Sequence, residues 1–155
     1  MSLWDWAGEA YARPGVEDLC LALQDDHDQC VGYLLWAAWA ALNGRRIGSA
    51  GVAEAAAMAR DWEATVLRPL RSVRRALKQP SPDIAAVARE GLRARIKVPE
   101  LAAERVLLEA LEARTPPPGG EAAPLDRALR DAAGAWEPLP PDVLLDALSH
   151  AFSAA

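Results

Sequence analysis

From Val31 to Leu42 the chain reads VGYLLWAAWAAL, twelve residues without a charge, closed by Asn43-Gly44. A helix with one side in water would interrupt such a run with Lys, Glu or Arg every third or fourth position. The segment therefore predicts a helix covered by neighbours on nearly every side. Asp28 is placed to cap its first turn, and Gly44 to close it in the left-handed conformation. At ~1.5 Å per residue it reaches only about 18 Å, too short to cross a bilayer. The pattern predicts a buried central helix near residues 28–43.

The flanking segments are amphipathic. Ser2 and Asp5 have the spacing of a capping box, and Leu3, Trp6, Ala7, Ala10 and Tyr11 follow at helical intervals. Arg13-Pro14-Gly15 breaks that helix. A second presents Val16, Leu19, Cys20 and Leu23, with Glu17 and Asp18 in its favourable first turn. Ser49 is placed to cap a long helical segment near 50–78. Within it Trp62, Val66, Leu70, Val73 and Leu77 form one stripe, and Pro69 predicts a kink.

Ser81-Pro82-Asp83 has the chemistry of a helix start, with Ile84, Val87, Ala88, Leu92 and Ile96 as the inward face. Val98-Pro99 should end or bend that helix, and another should run from Glu100 to Arg114. TPPPGGEAAP, residues 115–124, reads as a flexible linker. Beyond it come a helix over Leu125 to Trp136 and a last one from Asp142, with Val143, Leu144, Ala147, Leu148, Ala151 and Phe152 inward. The expectation is an all-α, single-domain bundle spanning residues 1–155, with about seven helices and no internal repeat.

Composition agrees with this picture. Hydrophobic residues make up 52% of the 155-residue chain and charged residues 25%, and the abundance of Ala, Leu, Arg and Glu favours helix over strand. The N-terminus lacks the pattern of a secretory signal, so a cytoplasmic location is expected, with no membrane attachment. Cys20 and Cys30 are then expected as reduced thiols that serve packing. Charge changes the picture more. Residues 1–30 carry seven acids against Arg13 alone, while residues 68–97 carry nine bases against Asp83 and Glu90. Such a split permits attraction between the two regions, within one chain or between copies.

Three segments, LWDWAGEAYARPGVEDLCLALQD, WAAWAALNGRRI and WEATVLRPLRSVRRALK, together resemble a family of small all-helical proteins known mainly from proteobacteria. That family carries the label of a domain of unknown function. The resemblance runs from about Ser2 to Leu111. It implies a compact helical cytoplasmic protein and no catalytic residue.

Candidate chemistry is sparse. Asp25, Asp26 and Asp28 would offer Mg²⁺ oxygen ligands, but a second matching carboxylate cluster is missing, so solvated turn residues and a cap are the simpler reading. Cys20, His27 and Cys30 lack a fourth zinc ligand and the paired-cysteine spacing, and His150 stands far off in sequence. A cysteine nucleophile is disfavoured by the acidic surroundings. The tryptophans Trp36, Trp39 and Trp62 are expected to fill the core, each indole N–H finding an acceptor. What remains is a basic stripe, Arg68, Arg71, Arg74, Arg75 and Lys78, with Arg45 and Arg46 as possible neighbours. Guanidinium groups on one face bind carboxylates or phosphates bidentately. The acidic overall charge and the absence of a nucleic-acid motif favour an acidic protein, or another copy of the chain, over nucleic acid. The reading is a binding or regulatory module without a cofactor, contacting an acidic partner through this stripe. A small metal-dependent enzyme using the three aspartates is the alternative. A solvated stripe paired internally with Asp and Glu needs no partner at all.

Overall fold

A computed structural model describes residues 1–119, 121 and 123–153. Among these residues it is helical, with no strand. The helices are α1 (Leu3–Tyr11), α2 (Val16–His27), α3 (Val31–Leu42), α4 (Ser49–Trp62), a π-helical turn (Glu63–Leu67), α5 (Arg68–Ala76), α6 (Ala86–Arg114), α7 (Leu125–Trp136) and α8 (Asp142–Ser153). α4, the π turn and α5 form one continuous run, so the all-α bundle has seven helical rods.

α3 is the centre. Every residue from Tyr33 to Ala40 is buried, and α1, α2, α4, α6 and α7 all pack on it. Burial of each large side chain here contributes roughly 1.5–3 kcal/mol, which is what a helix with no polar side has to offer. Ser2 caps α1 as its spacing predicts: its hydroxyl accepts from the Asp5 amide at 3.1 Å and donates to the Asp5 carboxylate at 2.7 Å.

Asp28 does not cap α3. It sits at φ 53° as the left-handed end of α2, and its carbonyl accepts the Trp136 indole N–H at 2.6 Å. α3 instead starts after Cys30 without a side-chain cap. The Trp36 indole donates to Thr115 Oγ1 at 2.7 Å and that of Trp62 to the Ala103 carbonyl at 2.9 Å. Trp39 departs from expectation: its buried N–H has no partner among the described residues, and the Arg45 guanidinium lies 4.6 Å from its ring centre.

Pro69 leaves the long run unbroken. The Arg68 amide reaches back five residues to the Glu63 carbonyl, so a π turn precedes the proline and widens the helix where the missing amide would have bonded Thr65.

The two helices expected over 81–98 and 100–114 are one helix of 29 residues, about 43 Å long. Ser81-Pro82-Asp83 belongs to a turn ahead of it. Pro99 lies on an exposed face, where water can satisfy the carbonyl it frees. Only the second half of α6 meets the core. Of the expected inward face, Ile84 ahead of α6 is 56% exposed, Val87 87% and Leu92 47%, and only Ile96 is half-buried. The side turned toward α5 carries Arg89 and Arg93, and Arg89 donates at 2.8 Å to the carbonyls of Leu77 and Gln79. An arginine that stabilises the end of α5 has taken the place of an apolar contact.

In the segment expected as a flexible linker, Thr115 bonds Trp36, the Pro116 carbonyl accepts from Arg45 at 3.0 Å, and the Gly119 amide lies 3.3 Å from the Gly44 carbonyl. Gly120 and Ala122 of that segment lie outside the described residues.

Candidate functional site

Along the π turn and α5, the positions that turn inward are Glu63, Leu67 and Arg71, four residues apart. The apolar stripe beside them (Trp62, Val66, Leu70) is half-buried, and Val73 is 46% exposed. The most buried line of this segment thus carries an acid and a base.

Arg71 is buried and faces three carboxylates. It donates to Glu63 and lies 3.7 Å from both Glu100 and Glu104. Arg74 holds Glu100 in a two-pronged contact at 2.6 and 3.2 Å. Three carboxylates meet two guanidinium groups, one negative charge in excess when all three are ionised. Burial pushes the Glu104 carboxyl above the ordinary range, with Arg71 opposing the shift. Glu63 Oε2 is buried without a hydrogen-bond partner among the described residues.

Two cavities meet at this network, and Arg71 and Gln24 line both. One is a polar cleft of 360 Å³ between α2 and α5, lined by Asp25, Asp28, Arg68, Ser72 and Arg75. It explains where the predicted residues went. Arg68 pairs with Asp28 at 2.8 Å and Arg75 with Asp25, both on the surface. Four arginines of the basic stripe are therefore matched by carboxylates of the same chain, and Lys78 is exposed without an ion pair among the described residues. Arg45 is committed to Trp39 and Pro116, and Arg46 is exposed. Two of the three aspartates of the acidic cluster are the arginines' partners. Among the described residues no group of three or more His, Cys, Asp and Glu is arranged to hold a metal ion.

The second cavity is a groove of 900 Å³ bounded by α1, α2, α3, the π turn running into α5, and the second half of α6. Its floor is apolar, with Ala7, Leu35, Leu67 and Leu108. Gly32 also lines it, and a Cβ there would meet Leu108 and Leu107 at ordinary van der Waals distance, 3.4 and 3.5 Å. Trp4, Leu21 and Leu101 line it and remain open to water, Leu21 at 41% and Leu101 at 55% exposure. Asp5 and Glu9 stand at its edge, exposed and without ion pairs among the described residues, and Glu104 lines its wall. Cys20 and Tyr11 also line it, and burial pushes each up to about 12, so neither is ionised near neutral pH.

Chain segments from α1 to α6 thus build both cavities, and the sequence comparison covers the same region. Residues 2–111 match the family described as protein of unknown function (DUF2390). The chain belongs to that family. No curated protein and no solved structure matches it.

Sequence reasoning missed this groove. Its walls come from stretches far apart in the chain, and its lining of Leu, Ala and Trp has the same pattern as core. Glu63, Glu100 and Glu104 were equally silent, although Glu63 and Arg71 are two turns apart and Glu100 and Glu104 one turn apart on their helices.

Proposed function

We propose that this protein is a binding module, and that the groove takes the apolar face of a basic amphipathic helix from a partner protein. The observation that carries this is a large apolar groove beside Asp5, Glu9 and Glu104, three acids on one edge and wall. Helices dock in such grooves through side chains at i, i+3, i+4 and i+7, and flanking charge sets which helices are admitted. An acidic segment is disfavoured, because Arg71 is already enclosed by three carboxylates. The arginine face of α5 is taken up in the same internal pairing, so the partner-binding role moves from that face to the groove. With both thiols free and buried, a reducing cytoplasm is the compartment we propose.

The test uses two labelled peptides with one apolar face, one flanked by lysine and the other by glutamate. Fluorescence anisotropy should show binding of the lysine peptide, weakening as salt is raised, and none of the glutamate peptide. Gly8→Leu should block it. Gly8 lines the groove and a Cβ there meets nothing within 4 Å, so the leucine enters the groove without disturbing the fold. No binding of the lysine peptide, or binding unchanged in Gly8→Leu, would refute the proposal.

A further inference from the structure

The first half of α6 stands clear of the core, and its outer side has a regular pattern. Val87, Gly91, Ala94, Val98 and Leu101 follow one another at intervals of 4, 3, 4 and 3, and all five are exposed; Leu101, at the end of the strip, also lines the groove, so the two surfaces share that side chain. Val87 is 87% exposed, Val98 69% and Leu101 55%. Alternating intervals of three and four are the repeat of a two-helix seam, in which each apolar side chain enters a hole on a facing helix. Isolated exposed apolar residues need no explanation, but five in register along about four turns of one helix make a continuous strip.

We infer that this strip pairs with the same strip of a second copy, antiparallel, about a two-fold axis at Ala94. Val87 then lies opposite Leu101, Ala94 faces Ala94, and Gly91 falls beside Lys97 and Val98, so that small residues at the centre let the helices approach closely. Charge supports this order. Glu90 and Lys97 lie on the same flank of the strip, four residues before Ala94 and three after it. A two-fold rotation sets each Glu90 beside the other copy's Lys97, twice. Glu90 is half exposed, and its contacts within the chain, to Arg89 and Arg93, are long at 3.7 and 3.5 Å. On the other flank Arg95 meets its own symmetry mate, one like pair, screened by water, against two attractive ones. A parallel pairing would set Arg105, the next position of the strip, against itself.

The strip covers less than the area of most specific interfaces, so the dimer should form in the upper micromolar range and exchange rapidly. Light scattering across that range should show mass rising toward twice that of the monomer. Ala94→Arg should hold the protein monomeric with unchanged circular dichroism, because Ala94 is exposed. Cysteine crosslinking fixes the order, since the native thiols are buried and stay out of the reaction. Ala94→Cys should crosslink with itself, and Val87→Cys with Leu101→Cys but not with itself. A wild-type protein monomeric throughout, or Val87→Cys crosslinking with itself, would overturn the inference.

Discussion

Arg71 and Arg68 sit three residues apart on one helix, with the same side chain and opposite circumstances. Arg68 is 57% exposed against a 65% exposed Asp28, and pairs of that kind contribute ~0–1 kcal/mol, so Arg68→Ala should move the melting temperature little. Arg71→Ala leaves Glu63 buried without its counter-charge, while Glu100 keeps Arg74, and should cost about 3–5 kcal/mol, measurable by urea unfolding. Glu104 behaves differently from both. Its pKa is raised in the folded chain, chiefly by burial, so the native state holds a proton that the unfolded chain has already lost. The stability this proton represents is complete below the ordinary carboxylate range and is lost as pH rises through the folded value. Glu104→Gln should therefore gain on the wild type as pH is raised from that range toward neutrality, seen as a narrowing or reversal of the difference in melting temperature. None of these differences was legible in a run of arginines. Residue type and spacing mark a helix face, but which of its charges are enclosed depends on carboxylates 8 to 33 residues away.

Helices were legible where periodicity and end chemistry agreed. The twelve uncharged residues of α3 could only be a buried rod, and the Ser2–Asp5 box marks the start of α1, which opens at Leu3. Errors came where one strong local signal met a weaker global one. Pro99 has the sequence signature of a stop, yet α6 passes through it because that face is open to water and Glu100, Leu101 and Ala102 after it are good helix formers. Pro99→Ala should restore the amide that bonds Arg95 and raise stability by roughly 1–2 kcal/mol, after allowance for the added freedom of the unfolded chain. The apolar face of residues 84–96 was visible in the sequence. Its direction was not, since periodicity reports that a face exists and nothing about what covers it. The same blindness hid the groove.

At the scale of the molecule the hydrophobic core is a single cluster that extends beyond the residues matched to the family. α7 packs along α3 and α4, and α8 on α7 and α2. Leu129, Trp136, Leu145, Leu148 and Phe152 are all buried. At roughly 1.5–3 kcal/mol each, their burial is comparable to the whole ~5–15 kcal/mol that holds a domain folded. A chain ending at Leu111 should accordingly show no cooperative thermal transition, while the full chain shows one. Kinship and mechanical integrity therefore part company at residue 111. An exchange of parts between relatives that cut there would hand over the central rod with one flank stripped bare, Tyr33 losing the ring of Trp136 that rests 5.8 Å away.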